Sequence, residues 1–192
     1  IQRECFICRH VQKKYLPLLK TAVIKTTSEK QVKKTLDNFF LAARNYNSAK
    51  MKKYFWSSSK VWTFSDKGTS SLWRKYTKKY LKFAVKSISF KRNKATVKVY
   101  GQYLDGTNAF YKALNKTSNY YLKHMNESGN NFDQLFAKYR QQYLKSEAKT
   151  IKNTMFTLCL TKKGSTWKIN SFTSTLDNVI NGNYTKFAND VW

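Results

Sequence analysis

The chain predicts an α+β domain, in which a curved antiparallel sheet packs against helices that precede it and a helical insertion separates the strands. Three observations predict this. Apolar positions recur at helical spacing from about residue 28 to 55 and again from 70 to 83. The period changes to two over 85–105 and over 154–174. Between those stretches, 107–150 returns to helical spacing. Helices first and hairpins later is the order of an α+β domain, and 192 residues suit one domain with a substantial core. The expected organisation is an N-terminal extension, 1–26, followed by a single domain, 27–192.

In the first helix, Ser28 is placed to cap and Glu29 to favour the positive end of the dipole. Val32, Leu36, Phe39, Phe40 and Ala43 form its apolar stripe. Ser48 is placed to cap a second, shorter helix, with Met51, Tyr54 and Phe55 inward and Lys50, Lys52 and Lys53 outward. Residues 57–69 read as a loop. The segment 70–83, SSLWRKYTKKYLKF, is amphipathic. At about 100° per residue, Arg74, Lys75, Lys78, Lys79 and Lys82 fall on one side and Leu72, Trp73, Tyr76, Tyr80 and Phe83 on the other. Such a face is either a solvated helix exterior or a polyanion-binding ridge.

The first hairpin turns at Arg92-Asn93-Lys94, where Asn93 tolerates the left-handed conformation. Ala95, Val97, Val99, Gly101 and Tyr103 share one face of its second strand. In the insertion, Phe110, Ala113, Leu114, Tyr121 and Met125 give one stripe. After a break at SGNN, Phe132, Leu135, Phe136, Tyr139 and Tyr143 give another. Phe156, Leu158 and Leu160 alternate on the third strand, with Cys159 read as a small core residue. Lys163-Gly164 supplies the turn, and Trp167 and Ile169 follow. A last helix carries Leu176, Val179 and Ile180, then Tyr184, Phe187 and Val191.

The formal charge is +27, and only six of the 37 basic residues are arginine. Lysine is a hydrated point charge, whereas base-reading proteins favour the arginine fork. A dispersed lysine excess therefore predicts general attraction to polyanions, or plain solubility, more than base recognition. Cys5 and Cys8 form a CxxC with His10 nearby. A zinc site needs four ligands, and the distant candidates are Cys159 and His124 alone, so the pair reads as incidental. No apolar run of about 18 residues is present, so no span is expected. The chain begins at Ile1, which leaves room for a removed signal or lipid-anchor segment. The 1–26 stretch contains the only proline, Pro17.

The helix VKKTLDNFFLAARNYNSAKMKKYF, the hairpin ISFKRNKATVKVYGQYLD and the turn-strand LTKKGSTWKI resemble the nuclear transport factor two-like superfamily. STLDNVINGNYTKFANDVW resembles the tail of extracytoplasmic, often lipid-anchored members from Gram-positive bacteria. The resemblance covers 28–192 in outline. It implies a cone-shaped, cystatin-like roll with an opening between helices and sheet, and an extracellular or surface-anchored location. Enzymes of that superfamily place Asp, His or Tyr in the cone. Here Asp37 reads as solvent-facing, Asp105 as a turn residue and His124 as exposed, and no carboxylate pair shares a face. No nucleotide-binding, hydrolase or metalloprotease motif is present.

The expectation is therefore a non-catalytic, cofactor-free binding domain attracted to an anionic cell-wall polymer or a protein partner. Arg74, Lys75, Lys78, Lys79 and Lys82, with Lys50, Lys52 and Lys53, would supply the attraction. The alternatives are a subunit of a secretion or conjugation assembly, a nucleic-acid binder, or a cone that takes a small apolar ligand.

Overall fold

The structure, a computed structural model, describes residues 26–56, 61–125 and 131–191. The N-terminal extension with Cys5, Cys8, His10 and Pro17, and most of the SGNN break, lie outside the described residues.

Helix α1 covers 26–44 and α2 covers Ser48–Lys52. They are followed by α3 (Lys67–Tyr80), β1 (Lys82–Lys91) and β2 (Lys94–Asp105). The insertion is a helical pair, α4 (Thr107–Lys123) and α5 (Phe132–Ser146). The chain ends with β3 (Thr150–Lys163), β4 (Thr166–Ile169), α6 (Ser174–Asn181) and α7 (Tyr184–Val191). The sheet is curved, unclosed and antiparallel throughout, in the order β1-β2-β3-β4. Its centre is the β2–β3 ladder, which runs unbroken from Lys94↔Thr161 to Asp105↔Thr150. The whole α4–α5 pair thus leaves and re-enters the sheet at one point.

Alternation divides the sheet into two unlike faces. Ala95, Val97, Val99, Phe156, Leu158 and Leu160 are buried against the helices. Thr96, Lys98, Met155, Thr157 and Cys159 are exposed on the other face, which no helix among the described residues covers. Cys159 is therefore a surface residue, not a core one. Its register partner is Thr96, and the whole odd-numbered set of β3 points outward with it.

The α1 stripe is buried as its spacing predicts, with Val32, Leu36, Phe39 and Ala43 fully inside. Burying an aromatic or branched aliphatic side chain contributes roughly 1.5–3 kcal/mol. Phe39 meets Phe55 edge-on at 5.5 Å, and Phe40 stacks on Phe83 at 4.2 Å, fixing α1 to α2's exit strand and to β1. On the concave face a side chain at Gly101 would press on Phe156 and Val179. That part of the space between helices and sheet is filled.

Several boundaries differ from those the sequence suggests, for local reasons. Ser28 lies inside α1 and is buried. Asn47, not Ser48, caps α2, its side chain accepting from the Lys50 amide. Helix α3 begins at Lys67 because Asp66 caps it, accepting from the Thr69 amide at 2.7 Å. It ends at Tyr80, since Leu81 is extended and buried; Lys82 and Phe83 are accordingly strand residues. In the first hairpin turn, Arg92 rather than Asn93 takes the positive φ, 53°. Met125, assigned to the α4 stripe, is exposed, as is Leu122.

The stripe of α5 is Phe136, Arg140 and Leu144, at strict i, i+4 spacing. A guanidinium thus occupies the middle of an apolar row. Its Nη2 donates to Asp66 Oδ2 at 2.5 Å, Nε to Thr69 Oγ1 and Nη1 to the Tyr184 hydroxyl. Its carbon centre lies 4.8 Å from the Phe64 ring, 5.0 Å from Phe136 and 5.4 Å from Tyr184. Arg140 therefore ties α5 to the cap of α3 and to α7.

Two further polar junctions lock the helical layer. Asp177 on α6 accepts from Asn181 and from the Thr185 hydroxyl, and Asn181 accepts from the buried Tyr46 hydroxyl. Burial pushes the Asp177 carboxyl upward against the Thr185 and Asn181 hydrogen bonds that favour its ionised form, and burial likewise pushes the Tyr46 phenol upward. At the end of β2, Asp105 accepts from Thr107, Asn183 and Lys152, the last at 2.5 Å. Burial opposes ionisation of Asp105, but these donors win and hold its carboxyl below the usual range.

Candidate polyanion interface

Helix α3 turns Trp73 and Thr77 inward and leaves Arg74, Lys75, Lys78 and Lys79 exposed. The 100° spacing that separates charged from aromatic residues in the sequence is realised in the fold. Trp73 donates its indole N–H to the Ile180 carbonyl at 2.9 Å, and Tyr76 donates to Leu144 O at 2.8 Å. These rings are structural anchors, committed to partners inside the molecule. Lys78 and Lys79 stand on the last turn, where the negative end of the helix dipole favours cations.

The ridge runs on into the sheet. Lys82 is the first residue of β1, paired with Gln102, whose side-chain amide donates to the Tyr80 carbonyl at 3.4 Å. One strand register further along the open face stands Tyr100, with the Lys86 ammonium 5.3 Å from its ring. Lys86 sits at the β-bulge between Val85 and Ser87, and Lys98 is opposite Ser87. Lysines and a bulge on an edge strand also protect it from pairing with another chain. That explains the β1 lysines; it does not explain Lys98 on an interior strand.

A groove of about 550 Å³ lies between α1 and β1 at the same corner, lined by Asp37, Leu41, Arg44 and Lys82 among others, so one carboxylate stands at its α1 wall. Arg44 donates to the Lys78 carbonyl, and the Thr77 hydroxyl donates to the Arg44 carbonyl. The corner therefore gathers Arg44, Lys78, Lys79 and Lys82 from three elements. Arg44 was not singled out by the sequence, because its cationic neighbours lie 34 or more residues away.

The arrangement of the carboxylates makes this surface distinctive. No Asp or Glu occurs between Asp66 and Asp105, while eleven Lys or Arg do. None occurs from 148 to 176 either. All of α3, β3 and β4, and both strands of the first hairpin up to Asp105, are thus free of acid. The described carboxylates stand in the helical layer or at strand ends, mostly with local partners: Glu29 with Lys33, Asp66 with Arg140, Asp105 with Lys152 and Glu147 with Lys112. Among the described residues, no ion pair engages Arg74, Lys75, Lys78, Lys79 or Lys82. The acid-free interval could have been seen in the sequence and is its clearest pointer to this surface.

Lys50, Lys52 and Lys53 are exposed but belong elsewhere. The chain leaving α2 is bound to β4, the Ile169 amide donating to Tyr54 O and the Trp56 amide to Ile169 O. Among the described residues no hydrogen bond or ring contact joins α2 to α3.

The candidates for other chemistry are dispersed. Asp37 is exposed, His124 stacks on Tyr120 at 4.3 Å, and Asp105 belongs to the strand-end junction. Among the described residues no three His, Cys, Asp or Glu are grouped to hold a metal ion, and no helix is long and apolar enough to cross a membrane. Compared with protein-family models, with curated proteins and with solved structures, the chain matches none.

Proposed function

We propose that the protein is a non-catalytic binding domain for an anionic polymer, working at a cell surface. The observation that carries this is the segregation of charge: among the described residues, α3 and the open sheet face carry many lysines and no carboxylate, with Asp37 of α1 the one acid at the adjoining groove. Like charges held on one face repel one another and weaken the fold, so an uncompensated cluster is worth its destabilisation when a polyanion neutralises it. The polymer is read by charge density rather than by bases, since Trp73 and Tyr76 are engaged internally and cannot stack on a nucleobase. A phosphate-bearing wall polymer fits that chemistry, and the surface location rests on the family resemblance of 28–192.

The test is a salt titration of binding to a polyglycerol-phosphate polymer, to duplex DNA and to single-stranded DNA. Affinity should fall linearly in log salt, with a slope that counts the phosphates neutralised, about 0.9 per contact for duplex DNA. Lys75→Glu/Lys78→Glu/Lys79→Glu should lower the slope by about two to three contacts and move the melting temperature only modestly, because all three side chains are exposed and the dipole interaction lost at Lys78 and Lys79 is offset by relief of like-charge repulsion. Unchanged affinity in that variant, and in one reversing Lys86 and Lys98, would refute the proposal.

A further inference from the structure

A different site lies between the segment before α3 and the exposed side of α5. Two adjoining cavities, about 400 and 670 Å³, share Asp66, Gln134 and Ala137 and so form one cleft. Each is within the usual size range of ligand sites. One end has aromatic walls: Trp62 lies face to face on Tyr184, 4.9 Å apart and 7° from parallel, with Phe64 edge-on beside both. Trp62 remains 38% exposed. The other end is lined by the carboxamides of Gln141 and Gln142 and by Lys138 and Lys145.

Charge separates this cleft from the rest of the surface. Its lining carries Asp66 and Asp133 against Arg140, Lys138 and Lys145, near neutrality in a chain of +27. Asp66 and Arg140 already neutralise each other at 2.5 Å. The chemistry of the lining disfavours three ligand classes in turn. An anion drawn to Lys138 and Lys145 at one end would lie away from the aromatic walls, where Asp133 and Asp66 stand. An apolar ligand would cover the Gln134 and Asp133 groups without offering hydrogen-bond partners, at about 1–3 kcal/mol each. A cation would find the aromatic box filled, because Arg140 lies against Phe64, Phe136 and Tyr184. What remains is a neutral ligand with hydroxyls on its rim and C–H bonds on its faces.

We infer that this cleft binds a neutral oligosaccharide. A sugar ring stacks its C–H face on the open side of the Trp62 indole, which offers apolar area together with a polar edge. Its hydroxyls donate to Asp133 and to the Gln134 and Gln141 carbonyls and accept from the Gln134 amide, the Gln141 amide being held by Asp66 at 3.2 Å. From Asp133 to Lys145 the helix provides about 18 Å of cleft floor, with Ala137 leaving space at its middle. The site accordingly takes more than one ring. This inference is independent of the polyanion reading and involves other residues.

Maltotriose, cellotriose and an N-acetylglucosamine trimer are titrated into the full chain, followed by calorimetry and by indole N–H resonances. At least one should bind saturably with Kd between about 1 μM and 1 mM, changing less than about two-fold between 0.05 and 0.5 M salt, since the ligand is uncharged. Trp62→Ala should weaken that binding at least about ten-fold. Because Trp62 also packs on Tyr184, Gln134→Ala serves as the second variant. Its side chain is exposed, its melting temperature should be that of the parent, and its affinity should fall several-fold. The inference is overturned if none of the three sugars saturates, if both variants bind as the parent does, or if polyglycerol phosphate displaces the bound sugar. Failure of the polyanion titration would leave these results untouched.

Discussion

Replacing Arg140 by Met tests how the helical layer is held. The guanidinium is buried, 8% exposed at its side chain, while its partner Asp66 is 25% exposed. Removing one member of a buried pair costs roughly 3–5 kcal/mol. Water can reach the Asp66 carboxylate, which puts the effect near the lower end, about 3 kcal/mol. Loss of the three ring contacts adds about 1 kcal/mol. The Met thioether refills the space between the same rings and returns about as much. The expected loss is therefore about 3 kcal/mol, and with m near 2 kcal/mol per molar urea the midpoint should fall by about 1.5 M at unchanged m.

The same variant has a pH signature. Burial pushes the Asp66 carboxyl upward, but hydrogen bonds from Thr69 and the Arg140 charge outweigh it and hold the group below the usual carboxylate range. A carboxyl with a depressed folded-state pKa contributes stability that is complete above its unfolded value, about 3.9, and is lost as pH falls through the folded value. Arg140→Met should remove part of that acid-induced loss, so the two stability curves converge as pH drops below about 4. A variant within about 0.5 kcal/mol of the parent at neutral pH, with parallel curves, would refute the reasoning. The Arg140–Asp66 pair would then contribute nothing net to the fold.

Three further substitutions follow from particular positions. Gly164 and Gly182 both have positive φ, 57° and 61°, but nothing surrounds the former, whereas a methyl at the latter meets the Trp73 ring and the Leu104 carbonyl. Gly164→Ala should cost about 1 kcal/mol and Gly182→Ala about 3 kcal/mol or more, read as melting temperatures; equal shifts would contradict the packing. Burial raises the Asp177 carboxyl, so its contribution is present below the unfolded pKa and is lost as pH rises through the folded one. Asp177→Asn keeps an acceptor for Asn181 and should flatten this alkaline-side loss, gaining stability at pH 7 relative to pH 4 in urea titrations; an unchanged pH profile would show that the carboxyl is ionised without penalty.

The sequence was informative where one periodicity dominates. The α1 stripe, the alternation of β2 and the two-sided α3 are each set by residues a few positions apart, and the fold reproduces them. It was uninformative where the decisive partner is distant. Asp66 as the α3 cap looks like a loop residue until Thr69 and Arg140 are beside it. Arg140 itself reads as part of a polar face, because an apolar stripe with a cation at its centre has no local signature. Cys159 was assigned inward by residue type, and strand parity placed it outward. For the candidate surface, the α3 cations were legible from spacing and the corner formed with Arg44 was not, since α1 and α3 meet only in the folded chain.

The unbroken β2–β3 ladder gives this protein a folding problem that its insertion helps to solve. Its nearest pair, Asp105↔Thr150, already encloses the entire α4–α5 segment, and its farthest, Lys94↔Thr161, encloses more. Were that segment a flexible coil, every pairing would have to wait for closure of a long loop. Because it is two helices packed on each other, local contacts can form first and deliver the ends of β2 and β3 to the same place. Zippering then proceeds from Asp105↔Thr150 towards Lys94↔Thr161, while the β1–β2 hairpin, closed by a short turn at Arg92, needs no such help. Mutations in the α4–α5 contact should accordingly slow refolding, while those near Lys94 and Thr161 should chiefly speed unfolding.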